Sequence, residues 1–208
     1  MKEFKSWRVV MKGKILITVP TFENIKPECF KSIYGLTNPK DFNLYFDYVK
    51  GYDCARARNE IAKLAIKHDF DYVLMIDSDV SIPKDTVNQL LECKTDIALG
   101  WYYKKRTNTD ETVIFDFGKD FNNKNMIYAK TLSELNNPFE VKGGGLGISL
   151  VNVNVFRKMA YPYFKYVIYD NDTILSEDLY FCSEARKYGM NIKCNPNVKG
   201  DHIYEVLM

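Results

Sequence analysis

No stretch of this 208-residue chain is apolar for long enough to cross a bilayer or to form a signal core. The first apolar run, Ile15 to Val19, falls far short of either, so a cytoplasmic protein is expected. Disulfide spacing is missing as well. The five cysteines, Cys29, Cys54, Cys93, Cys182 and Cys194, form no C-x-x-C pair, which argues for reduced thiols and against a disulfide frame or a zinc site. Neither sign of charge is in excess: Lys plus Arg is 29 and Asp plus Glu is 27, a net +2. That balance gives no general signal for nucleic acid or an acidic membrane as partner. The glycine cluster at 143–147 lacks the Lys-Ser/Thr of a phosphate loop, and no helix opens directly behind it. Repeats and low-complexity linkers are absent too. What remains is an ordinary globular composition, 46% hydrophobic and 27% charged, long enough for one domain over 1–208.

The most informative segment present is Asp71-Tyr72-Val73-Leu74-Met75-Ile76-Asp77-Ser78-Asp79. A mostly apolar run with β-branched members reads as a buried strand of a parallel sheet, and here it ends in two carboxylates. In open α/β sheets ligands collect at the carboxyl ends of such strands. Two fixed carboxylates there are costly unless something positive lies between them, and a divalent cation carrying a phosphorylated ligand meets that need. Around this strand the pattern alternates. Residues 14–19 read as a first strand stopped by Pro20, Pro27 opens a helix to about Tyr34, and Asn43 to Val49 suits a second strand. Asp53 caps a helix through about Lys67, Pro83 opens another to about Cys93, and Ile97 to Leu99 is a short strand. The rhythm predicts an α/β fold with a doubly wound, mixed but mainly parallel sheet.

The second half is less regular. Residues 102–139 are polar and aromatic and read as hairpins and mobile loops, followed by a strand at Ile148 to Val151. Asn154 is placed to cap a helix around Val155 to Met159. A further helix runs from Ser176 to Tyr188 with Gly189 as its stop, and a last strand spans Asn191 to Cys194. The change of pattern divides the chain into 14–100 and 101–208.

Asp77 and Asp79 would share a face in a regular strand, and their oxygen ligands favour Mg²⁺ or Mn²⁺; equally, a D-x-D is a common turn or cap. Glu177 and Asp178 fall in a helix first turn, where the macrodipole favours acidic residues with or without catalysis; one of them placed near a hydroxyl is a general base. His202 can complete a metal shell begun by two aspartates. His68 reads as an ordinary surface histidine. Trp101, Tyr102 and Tyr103 before Lys104-Lys105-Arg106 suit sugar stacking and diphosphate screening, or a plain core-and-loop boundary. Gly144 and Gly145 mark a close backbone approach to a ligand or a flexible bend.

Taken in order over about residues 14–204, these segments resemble a glycosyltransferase of the A-type, Rossmann-like fold, closest to the family 2 pattern. The carriers are Ile17-Thr18-Val19-Pro20-Thr21, the Gly51 to Ala57-Arg58-Asn59 block with Ala62 and Asp71-Tyr72-Val73, and Asp77-Ser78-Asp79. Gly144-Gly145-Leu146-Gly147 with Ser149-Leu150-Val151, Ser176-Glu177-Asp178-Leu179 and Gly200-Asp201-His202-Ile203 complete the set. The family's D-D-x-S turn after the second strand is replaced by Tyr48-Val49-Lys50-Gly51.

The resemblance implies a metal-dependent hexosyltransferase using a UDP-sugar or related nucleotide diphosphate sugar, with a nucleotide-binding half, 14–100, and an acceptor-binding half, 101–208. Pro20, Thr21, Arg58, Asp77, Ser78 and Asp79 would bind the nucleotide. Asp77, Asp79 and His202 would bind Mn²⁺ or Mg²⁺. Asp178, with Glu177 in reserve, would be the base, which implies inversion, and Trp101, Gly144 and Gly145 would meet the hydroxyl acceptor. Two other classes compete: a haloacid dehalogenase-like phosphohydrolase using Asp77 and Asp79, and a sugar- or nucleotide-binding module without turnover.

Overall fold

The computed structural model describes residues 12–104, 110–117, 124–170 and 173–203. Strands and helices alternate first: β1 (Gly13–Thr21), α1 (Pro27–Tyr34), β2 (Phe42–Lys50), α2 (Cys54–Lys67) and β3 (Tyr72–Ile76). Then come β4 (Val80–Ser81), α3 (Thr86–Leu91), β5 (Ile97–Trp101), β6 (Glu111–Phe117), β7 (Lys124–Tyr128), α4 (Ala129–Glu134), β8 (Phe139–Glu140) and β9 (Gly143–Gly144). After these lie β10 (Ile148–Asn152), α5 (Asn154–Lys158), β11 (Val167–Ile168), β12 (Ile174–Leu175), α6 (Glu177–Lys187), β13 (Ile192–Lys199) and β14 (Asp201–His202).

Among the described residues the main sheet has seven strands in the order β2-β1-β3-β10-β5-β13-β8. β1 pairs in parallel with β2 and β3, and β13 with β5; β10 runs antiparallel between β3 and β5, and β8 antiparallel to β13. The sheet is therefore mixed, with most strands pointing one way, as expected. Its two faces carry separate cores. Val73 and Met75 of β3 pack with residues of α2, α5 and α6, while Leu74 and Ile76 face residues of α1 and α3. Alternate side chains of one strand thus enter different cores, which is why β3 is apolar throughout instead of alternating.

Local signals placed several elements well. Asp53 caps α2 by accepting from the Arg56 backbone N–H at 3.0 Å. Gly189 follows α6 at φ 78°, a left-handed conformation that suits glycine. All five cysteines are free thiols.

Other boundaries differ. β1 runs through Pro20, because there it pairs only with β2 and the missing N–H leaves no ladder bond unmade on the side beyond β3. α3 begins at Thr86, not Pro83, since Thr86 Oγ1 and N–H both donate to the Pro83 carbonyl and close a turn first. Asn154 is not a cap; its N–H donates to Asn152 Oδ1 at 2.9 Å, and the cap residue is Val153. α4, inside the stretch read as hairpins and loops, is an unexpected helix beside the expected β6–β7 hairpin. β13 extends to Lys199 through Pro196, with a register shift between Cys194 and Lys199.

Candidate functional site

The carboxyl ends of β1 and β3 lie together at one edge of the sheet, next to the start of the reversed strand β10. β3 stops at Ile76, and Asp77-Ser78-Asp79 is a turn in which the Val80 N–H donates to the Asp77 carbonyl at 3.1 Å. The two aspartates therefore do not share a strand face as the alternation suggested. Three separate elements hold the turn. Asp77 N–H donates to the Gly147 carbonyl at 3.1 Å, the Lys26 N–H to the Ser78 carbonyl at 2.9 Å, and the Cys29 thiol to the Asp77 carbonyl at 3.4 Å. Burial pushes that thiol up to about 12, so Cys29 acts as a packing group with a weak donor.

Arg58 sits at the centre of the site. It lies on the buried stripe of α2 with Ala55, Ala62 and Ala65, and is only 3% exposed. Its Nη2 donates to Asp77 Oδ1 at 2.8 Å, and its Nη1 forms a close ion pair with Glu177 Oε1. Burial alone would draw the guanidinium down, but Asp77, Glu177 and Asp178 outweigh it and keep it charged. Glu177 also shifts upward, which for a carboxyl favours the neutral form. Burial raises its carboxyl above the ordinary glutamate value against the pull of Arg58, with Asp178 adding to the rise. Among the described residues, the one cation Arg58 is set against three carboxylates here.

Two tyrosines close this cluster. Tyr102 is buried, its hydroxyl 3.4 Å from Asp77 Oδ2 and accepting the Gly147 N–H at 3.1 Å. Burial and then Asp77 drive its phenol well above the usual tyrosine range. A Cβ at Gly147 would lie 2.5 Å from Asp77 Oδ2 and closer still to the Tyr102 hydroxyl, so only glycine admits both groups. On the other side lies Tyr166, whose phenol is raised by burial and then by the nearby Glu177 carboxylate. Asp178 is only partly buried; Ser176 Oγ donates to its Oδ1, which also accepts the Leu179 N–H at 2.7 Å.

Strand pairing lays the backbones of Asp79 and His202 alongside one another. β14 runs antiparallel to β4 with His202 opposite Val80, and the Ile203 N–H donates to the Asp79 carbonyl at 2.8 Å. His202 Nδ1 lies 2.5 Å from the Tyr103 carbonyl, which only accepts; Nδ1 therefore carries a proton, which in the neutral ring leaves the lone pair on Nε2. A carboxylate and an imidazole of that tautomer are a fitting donor set for a divalent cation. Asp77 fits less well, because its Oδ1 is committed to Arg58. Among the described residues, no group of three or more His, Cys, Asp and Glu is disposed to hold a metal, so the expected trio is not assembled as such.

The remaining predicted positions are placed differently from one another. Pro20 and Thr21 are buried at the end of β1, and the Thr21 hydroxyl donates to the Asn24 carbonyl at 2.9 Å. Trp101 is buried, donating from Nε1 to the Pro196 carbonyl at 2.7 Å, so it presents no open face to a sugar. Gly144 and Gly145 are also buried. A Cβ at Gly144 would meet Ile114 and Leu99 at 2.9 Å, and one at Gly145 would meet Val113 at 3.0 Å, so these glycines admit close packing within the protein. Lys105 and Arg106 of the basic cluster lie outside the described residues. Tyr102 and Tyr166 take roles the sequence did not disclose. Arg58 and Asn59 did leave a signal, since both fall on α2's buried stripe, where a polar residue needs a partner.

No family model matches this chain, and no curated protein does. Solved structures match it. The crystal structure of A197 from STIV aligns with a TM-score of 0.63 at 18% identity, covering 92% of this chain and 86% of that one. The crystal structure of GalNAc-T7 with UDP, GalNAc and Mn²⁺ aligns with a TM-score of 0.60 at 11% identity, covering 95% of this chain and 45% of that one. The chain thus spans less than half of the second structure. Its fold is the mixed α/β fold of the A-type glycosyltransferases. The likeness reaches that fold and does not single out family 2 within it. No helix of the described residues is long and apolar enough to cross a membrane.

Proposed function

We propose that this chain is a glycosyltransferase that moves a sugar from a nucleotide diphosphate sugar, preferably a UDP-sugar, to a hydroxyl acceptor. One observation carries the reading. The D-x-D turn at the end of β3 is tied by Arg58 to Glu177 and by backbone pairing to the segment carrying His202, at the edge where such sheets bind ligands. The solved neighbour holding UDP and Mn²⁺ on the same fold supports it.

Asp79 and His202 are the residues that would hold Mn²⁺ or Mg²⁺, and the bound ion would supply charge neutralisation at the departing diphosphate. Asp77, drawn back by Arg58, is suited to a ribose hydroxyl, and Pro20, Thr21 and Ser78 border the same edge. Asp178 takes the proton of the acceptor hydroxyl. That oxygen bonds to the anomeric carbon as the bond to the diphosphate oxygen breaks on the opposite side, which inverts the configuration. Ser176 orients the Asp178 carboxylate through its hydrogen bond. Glu177 is the worse base, because it is buried against Arg58. A phosphohydrolase with Asp77 as nucleophile draws no support, since that carboxylate is paired with Arg58.

The test is release of nucleoside diphosphate from a panel of nucleotide sugars. Asp178→Asn is expected to lower kcat by about 100-fold or more while leaving nucleotide affinity intact. Unchanged turnover in that variant overturns the assignment of the base. A panel in which no donor is consumed, with or without acceptors, overturns the activity.

A further inference from the structure

A groove of about 620 Å³ lies along the outer flank of α2, between that helix and the segment before β11. The helix side from Asp53 to Lys63 is roughly 15 Å long at 1.5 Å per residue. Its opposite wall carries Tyr161 and Tyr166, 56% and 47% exposed. Exposed rings on a loose loop would mean little, but this segment is pinned between them. Asn59 Oδ1 accepts from the Tyr163 and Phe164 N–H groups at 2.9 and 3.2 Å, and its Nδ2 donates to the Phe164 carbonyl at 2.7 Å. Phe164 in turn stacks on Phe181 of α6, centroids 4.6 Å apart. The tyrosines are therefore held open by the core, the preorganisation a binding surface needs.

The charges of the lining are mixed. Asp53 and Glu60 stand against Arg56, Lys63 and Lys165, so there is no cationic track for a polyanion. Two cations rest on aromatic faces, Arg56 over Tyr52 at 4.2 Å and Lys63 over Tyr161 at 4.6 Å, which fixes the rings and leaves polar edges along the groove. Rigid aromatic rings among donors and acceptors of both signs suit a ligand with apolar ring faces and many neutral hydroxyls. The groove lies near the reaction site, because Asn59 of its wall adjoins Arg58, whose guanidinium pairs with Glu177, next to Asp178.

We infer that this groove is the acceptor subsite and that its ligand is an uncharged oligosaccharide, stacked on Tyr161 and Tyr166 with its terminal hydroxyl toward Asp178. Delivery of that hydroxyl rests on the transferase reading above; capture of the glycan does not. The test is binding of the full chain, without donor or metal, to a panel of linear and branched neutral oligosaccharides, read by saturation-transfer NMR and titration. Anionic phospholipid vesicles and an unstructured peptide serve as comparators. At least one oligosaccharide is expected to bind more tightly than its component monosaccharides. Tyr161→Ala is expected to weaken it about tenfold or more with an unmoved melting transition, and Tyr161→Phe to retain it. Binding of no oligosaccharide, binding unaltered by Tyr161→Ala, equal loss in Tyr161→Phe, or binding of vesicles or peptide alone each overturns the inference. Nucleotide titration of the same preparation separates the two readings. Glycan binding without nucleotide binding leaves the groove standing and removes the transferase, and the reverse removes only the groove.

Discussion

Arg58→Met keeps much of the side-chain volume at the centre of the site and removes the buried cation there. The guanidinium is 3% exposed and serves Glu177, 8% exposed, and Asp77, 29% exposed. Removing one partner of a buried ion pair destabilises by about 3–5 kcal/mol, because the other charge is left without compensation. Asp77 retains some water, so most of that loss comes from Glu177, and about 3 kcal/mol is expected near pH 8. The loss must depend on pH. Burial already raises Glu177 above the 4.5 of an unperturbed glutamate, and without Arg58 it rises further. The folded variant then binds more protons than the unfolded chain above 4.5, so stability is fully present below that value and is lost as pH rises through the higher folded value. Urea denaturation near pH 5 and near pH 8 reads both quantities, with the smaller deficit at the acid end. Adding Glu177→Gln to Arg58→Met should recover part of the alkaline loss, the signature of a coupled pair. An equal deficit at both pH values, or one below about 1 kcal/mol, would refute this account of the cluster.

Gly147→Ala forces a methyl group against Asp77 Oδ2 and the Tyr102 hydroxyl; it is expected to destabilise by about 1–3 kcal/mol and to lower nucleotide affinity, measured by urea denaturation and calorimetry. Asn59→Ala strips the partners from the buried Tyr163 N–H and the Phe164 carbonyl; each group left unpaired costs about 1–3 kcal/mol, and hydrogen exchange should rise first across residues 161–166.

The parts legible in the sequence are those written locally. β3 shows as one apolar run because both of its faces are buried, and α2 shows through its Asp53 cap and its periodic alanines. β13 continues past Cys194 through Asn195, Pro196 and Asn197, residue types usual in turns. Each is absorbed by remote contacts instead: Asn195 Nδ2 donates to the Gln89 carbonyl at 2.8 Å, Pro196 accepts from Trp101, and Asn197 Nδ2 donates to the Asn136 carbonyl at 2.9 Å. The same limit applies to the site. The D-x-D, the E-D pair and the late histidine were visible as residue types. That Arg58 joins the first two, that β14 lays His202 beside the turn at β4, and that Trp101 faces inward depend on partners far away in sequence. Nothing near Tyr166 announces that Glu177 lies close by.

The central claim is that Asp79 and His202 clamp a cation against a nucleotide diphosphate at the end of β3. Calorimetric titration of UDP into the chain with Mn²⁺, with a chelator in its place, and into Asp79→Ala tests it most directly. The account predicts binding with Mn²⁺ that is lost on chelation and weakened by about tenfold or more in Asp79→Ala, while the melting profile of the ligand-free variant stays cooperative. UDP binding of equal strength in all three, or none with Mn²⁺ present, would contradict it.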